Sequence, residues 1–122
     1  MKPYIVLKAG DKEYRLKISN ASAIELEDDL NCSIMEGLNR LGEIRILAKY
    51  LKAALRPLEN VTHAETLEIM DDYVATGGKI EDFYDVILEV MENSGYIKRE
   101  ALDASKKLQA QLQNKMAEKL LS

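Results

Sequence analysis

The chain has 122 residues, 31% of them charged and 47% hydrophobic, the balance of one soluble domain rather than two. A domain of this size removes roughly two-thirds of its unfolded surface from water, so it needs no disulfide or metal staple. The single cysteine, Cys32, excludes an internal disulfide framework and suits a reducing compartment. The net charge of −4 argues against a dedicated nucleic-acid binder.

Residues 4–18 read as a β-hairpin. Tyr4 and Val6 fall on one side of the first strand and Ile5 and Leu7 on the other, and Gly10-Asp11 supplies the turn. Tyr14, Leu16 and Ile18 then alternate with Glu13, Arg15 and Lys17. One face is dry and the other wet. A lone hairpin is barely stable in water, so the dry face must lie on helices or on another chain's strands. With its outer strand unpaired, the hairpin is expected to self-associate or to capture a partner segment.

From Asn20 the apolar period becomes that of helices. Asn20 or Ser22 is expected to cap a first helix ending at Leu30, with Ser22 and Glu25 as a capping box and Asn31 as a left-handed stop. Ser33 and Glu36 repeat the box and open a short helix carrying Ile34, Met35, Leu38 and Leu41, which Gly42 interrupts. Ile44, Leu47, Ala48, Leu51, Ala54 and Leu55 then form an i, i+3, i+4, i+7 stripe, with Ile46 and Tyr50 apolar beside it. A helix apolar on more than one side belongs at the centre of a core, and Pro57 ends this one.

Thr62 and Glu65 form a third capping box, opening a helix with Ala64, Leu67, Met70 and Val74 inward and closed by Gly77-Gly78. Ile80, Phe83, Tyr84, Ile87, Leu88 and Met91 keep the helical period up to Gly95, with Glu81 and Asp82 in the first turn, where the macrodipole favours anions. A last helix, residues 98–121, has a narrow stripe of Ala104, Leu108, Leu112, Met116 and Leu120, which drifts around the cylinder and suits a movable arm. The expected fold is mainly α with an N-terminal β-hairpin: one α+β domain over residues 1–122, with a helical body of five or six helices centred on residues 20–95. Leu47, Leu51, Phe83, Ile87 and Leu88 are expected among its most buried side chains.

Charge is unevenly placed. Residues 1–56 carry +2, residues 57–97 carry −9 and residues 98–122 carry +3. The middle block, ten carboxylates against Lys79 alone, would repel a duplex, so Lys106, Lys107, Lys115 and Lys119 of the last helix do not make the chain a nucleic-acid binder. No run of about 18 apolar residues could span a membrane, and no targeting segment is read in MKPYIVLKAG.

Catalysis needs a positioned nucleophile, acid, base or metal. His63, the single histidine, sits in a first helical turn where a solvent-facing polar residue is ordinary. Cys32 has no marked sequence partner, and Asp82, Asp85 and Glu89 share a helical face without the loop glycine of an EF-hand. No catalytic residue, cofactor or metal site is therefore expected, and the methionines beside the apolar stripes suit core filling or an adaptable contact surface.

The segment from Tyr14 to Leu38, with its hairpin end Leu16-Lys17-Ile18, then Ala23-Ile24-Glu25, then Leu30-Asn31-Cys32-Ser33-Ile34, resembles the start of the tail assembly chaperones of long-tailed bacteriophages and prophages. The stretch from Asp72-Tyr73 to Gly77-Gly78 is similar to that family's later acidic helices, while the final helix resembles nothing specific. The resemblance implies a non-enzymatic protein that coats the tape measure protein and recruits tail-tube subunits. It would work in the cytoplasm of the bacterial host and be absent from the mature virion. It also implies the short form of a protein that many members make in a longer, frameshifted version as well, and contact through the hairpin and adjoining helices. The candidate partner-binding residues are Tyr14, Leu16, Ile18, Met35, Leu108, Leu112 and Met116. The alternative is a small regulatory helical module that binds nucleic acid or protein through its C-terminal helix.

Overall fold

A computed structural model describes residues 2–104 together with Lys107 and Gln111. Its architecture is the expected one, a two-stranded antiparallel hairpin packed on a small helical body. Strand β1 (Ile5–Ala9) pairs with β2 (Lys12–Leu16) in the register Ile5 to Leu16, Leu7 to Tyr14 and Ala9 to Lys12. That register puts Leu7, Ala9 and Leu16 on one buried face and leaves Val6 and Lys8 outside.

The outer edge of β2 is partly taken up from within the chain. The backbone N–H of Lys17 donates to the Ala54 carbonyl at 2.9 Å, and that of Arg15 donates to Glu59 Oε2 at 2.9 Å. The Arg15 guanidinium then grips Glu59 and the Leu58 carbonyl. This corrects in part the expectation of an unpaired outer strand: the N–H groups of Arg15 and Lys17 are taken up by the segment after the third helix and by that helix's last turn.

Helix α1 (Asn20–Leu30) is capped by Ser19, one residue before the candidates read from sequence. Ser19 and Ser22 exchange side-chain and backbone hydrogen bonds, so Ser22 occupies the third position of the box rather than its start. Asn31 ends the helix at φ 58°, left-handed as expected. Helix α2 (Ile34–Gly37), capped by Ser33, runs into a single 3₁₀ turn, Leu38–Arg40.

Helix α3 (Ile44–Leu55) is the central element, packed against α1, β2 and the two helices that follow it. Leu47, Ala48, Tyr50, Leu51, Ala54 and Leu55 have no exposed surface. Ile46 and Tyr50 are buried too, so the buried arc centres on Leu47, Tyr50 and Ala54 and leaves Ile44 at its margin, 61% exposed. Burial pushes the Tyr50 hydroxyl pKa up, and its proton is donated to the Ile34 carbonyl at 2.5 Å. Gly37 is the residue that lets this ring in: a Cβ there would lie 2.3 Å from the Tyr50 hydroxyl oxygen and 2.9 Å from Leu30 Cδ1.

Helix α4 (His63–Ala75) opens with the Thr62–Glu65 box as expected, but it presents a different face. Thr66, Ile69 and Met70 are buried with Tyr73 beside them, whereas Ala64, Leu67 and Val74 are exposed. The buried arc is narrow and faces chiefly α3 and β1, with Tyr73 reaching α5. In helix α5 (Asp82–Asn93), Phe83, Ile87, Val90 and Met91 are buried, and Leu88, expected in the core, is half-buried. Residues 99–104 are helical, with Leu102 fully buried and Ala104 exposed; Lys107 and Gln111 are helical and exposed.

Three carboxylates tie these elements together and are held below the usual carboxylate range. Hydrogen bonds from Arg40 and Arg45 bring Glu43 to about 2. The Arg15 N–H and guanidinium lower Glu59, and the Lys79 N–H and Tyr73 hydroxyl lower Asp82. Carboxylates whose folded pKa is depressed stabilise the fold above their unfolded pKa and lose that contribution as pH falls through the folded value. The urea midpoint is therefore expected to decline on acidification from about 4.5 toward about 2. Asp82→Asn should flatten that decline, and an unchanged slope would show that Asp82 is not linked to folding.

Candidate functional site

An open apolar groove lies between α1 and α2, with a volume of about 450 Å³. Its floor is Ala23 and Ile34, its lips are Ile24 and Met35, and Tyr96, Asn20, Glu27 and Ser33 complete it. Local chemistry holds it open. The reciprocal serine cap fixes where α1 starts, and therefore puts Asn20, Ala23, Ile24 and Glu27 on one helical face. Glu27 Oε2 accepts from the Ile34 N–H at 3.0 Å, spanning the turn through Asn31 and Cys32 and setting α2 beside α1. The Tyr50 hydroxyl holds the Ile34 carbonyl from beneath, and the Tyr96 hydroxyl donates to Asn20 Oδ1 at 3.0 Å at the far end.

The two lips are conspicuous because large apolar side chains gain by burial. Ile24 is 61% and Met35 54% exposed, and both face the same apolar groove. A floor of small and branched aliphatic groups under a flexible methionine can bury an apolar side chain.

Of the residues read from sequence as partner-binding, Met35 lies on this groove. Leu16 and Ile18 do not reach the surface: they are 0% and 4% exposed, packed into the core, with the Ile18 N–H donating to Ser94 Oγ at 3.0 Å. A partner that leaves this fold intact cannot touch them, because the hairpin's dry face is covered by the chain's own helices. Tyr14 is half-buried against the same core. Leu108, Leu112 and Met116 lie outside the described residues, as does most of the expected arm.

Sequence reasoning missed Ile24 and Tyr96 as surface groups. Ile24 had a detectable signal: it is the one large aliphatic of α1 off the Ala23, Leu26, Leu30 stripe, on a helix otherwise charged on its outer side.

The chemical candidates are placed as follows. His63 is exposed at the start of α4, and Cys32 is half-buried beside the α1 stop. Asp82 is engaged by Tyr73 and the Lys79 N–H. Among the described residues no group of three His, Cys, Asp or Glu side chains could hold a metal ion, and no helix is long and apolar enough to cross a membrane. Comparison of the chain with protein-family models, with curated proteins and with solved structures finds no match in any of the three.

Proposed function

We propose that this chain is a non-catalytic binding protein whose α1–α2 groove takes the apolar stripe of a client helix, in the manner of a phage tail assembly chaperone acting on a tape measure protein and its tail-tube partners. The observation that carries this reading is the pair of exposed lips, Ile24 and Met35, over an apolar floor. A second observation agrees with it: Ala23-Ile24 and Ser33-Ile34, on which the family resemblance rests, line that one groove. A very long amphipathic helix made before its final partners exposes far more apolar area than a few hundred Å², so a cover is what it needs. Contact energy from burial is non-directional, which lets one small groove serve many turns of such a client. The acidic stretch 57–97 keeps coated copies apart through like-charge repulsion.

Co-expression with a long tape-measure-type helical protein tests the reading. The client is expected in the soluble fraction, in a complex that survives gel filtration at moderate salt, and Ile24→Asp with Met35→Asp should release it while leaving the chain folded. A client equally soluble with and without the chain would end the assignment.

A further inference from the structure

The two helices that form the α1–α2 groove carry charge of one sign. They contain Glu25, Glu27, Asp28, Asp29 and Glu36 and no basic residue. Glu25 and Asp29 turn to the far side of α1, where they share a crevice with Lys49, Lys52 and Arg56. The other three stay with the groove: Glu27 lines it, Asp28 follows Ile24 by one helical turn, and Glu36 is next to Met35. Asp28 and Glu36 are exposed, and among the described residues neither has an ion-pair partner. Of the cations that follow these elements, Arg40 is engaged by Glu43; at the Tyr96 end Arg99 is engaged by Glu92 and Asp103, beside the exposed Lys98. Glu27 and Asp28 also stand in the last turn of α1, which holds no base of its own and where the negative end of the macrodipole disfavours anions. The groove thus presents an apolar slot with acid beside both lips.

We infer that this groove selects a basic partner: an amphipathic helix whose apolar stripe is flanked by lysine or arginine. The inference rests on the reading of the groove as a helix-binding face and adds which helices it takes. Two lips facing each other across Ala23 and Ile34 admit apolar side chains spaced i, i+3 or i+4 along one face of a helix. The residues one position before or after each of those anchors stand about 100° around the partner helix, on the flanks that pass over Asp28 and Glu36. A lysine or arginine there lays its stem along the apolar lip and brings its charge to the acid. A glutamate there would add like charge to a helix end that the macrodipole already makes negative. The same sign argues against α1 or α2 of a second copy as the occupant, since both are acidic.

Fluorescence anisotropy tests it, with the full chain titrated into two labelled synthetic helices of about 18 residues that share one leucine stripe and differ in carrying lysine or glutamate on its flanks. The lysine helix is expected to bind at least about tenfold more tightly at low salt, and the difference should shrink as salt rises. Asp28→Lys with Glu36→Lys should reverse the order, and the urea midpoint should not fall, because a lysine in the last turn of α1 suits the macrodipole. Glu68→Lys with Asp71→Lys, an equal change of charge on the exposed side of α4, should leave the order as it was. Ile24→Ser with Met35→Ser, which keeps the charge, should remove binding of both helices. Equal affinities, a preference for the glutamate helix, or a preference that the α4 reversal abolishes as readily as the groove reversal would each overturn the inference while leaving the groove a helix-binding face. Binding of neither helix would overturn that reading and the inference with it. Self-association of the chain that the two serines abolish and the lysine helix does not displace would give the groove to a second copy and overturn the inference.

Discussion

Replacing Phe83 by alanine is expected to remove about 3 to 5 kcal/mol from the free energy of unfolding, the range for deleting a fully buried aromatic ring. Phe83 has no exposed surface, and its ring packs against Tyr73 at 4.8 Å between centroids with the planes 50° apart. The cavity cannot be filled by Tyr73 sliding inward. The Tyr73 hydroxyl is committed to Asp82 Oδ2 at 2.8 Å, and the face of its ring lies over Gly78, where a Cβ would approach within 2.1 Å. Urea denaturation of Phe83→Ala, Tyr73→Ala and the double variant would measure the loss and the coupling between the rings. The coupling should be about 0.5 to 1.5 kcal/mol. A loss for Phe83→Ala below about 1 kcal/mol would show that this end of α5 relaxes around the cavity.

Leu51→Ala should cost about 2 to 5 kcal/mol, near the upper end because of where the residue stands. Leu51 is fully buried in the middle of α3, and α3 is the helix against which α1, α4, α5 and β2 all pack. Collapse into the vacated volume would require one of those four elements to move, and β2 and α1 are each held to the end or face of α3 by polar contacts, as is the neighbouring α2. Lys17 N–H holds β2 to Ala54, and Tyr50 holds α2 through the Ile34 carbonyl. Arg56 and Lys49 reach α1 at Glu25 and the Asp29 carbonyl. The measurement is the urea midpoint at unchanged slope, and an unchanged midpoint would remove Leu51 from the core.

Much of this fold is legible in the chain because its signals are local. The hairpin follows from alternation around Gly10-Asp11, and helix stops follow from Asn31 and the glycine pair. The central place of α3 follows from its having apolar residues on more than one side. The departures occur where a local pattern met a choice that only packing makes. Thr66 and Ile69 displaced Leu67 and Val74 as the inner face of α4, because α4 offers a narrow arc to α3 and β1, with Tyr73 beside it reaching α5. A threonine fits there since its hydroxyl donates to the Thr62 carbonyl at 2.9 Å within its own helix, leaving the methyl for the core.

The candidate site was half visible. Met35 stood out as an apolar residue on a short capped helix, but it was grouped with Leu16 and Ile18, which alternation marks as dry without saying what dries them. Alternation records that a face is shielded from water. Whether the shield is the same chain or a partner depends on contacts far apart in sequence, here α3, α4 and α5 against the hairpin.

The amino-acid sequence by itself determined the element types, their order, most of their boundaries and the uneven charge, since propensity, period and capping act over a few residues. Tertiary structure alone decided that the Arg15 and Lys17 N–H groups at the hairpin's edge are held by Glu59 and Ala54 and that Ile24 and Met35 meet over Ala23 and Ile34. Each of these joins residues brought together by the packing of separate elements. An edge or a groove exists only when two elements settle at a particular distance, and that distance is set by the side chains between them, such as the Tyr50 ring seated against Gly37.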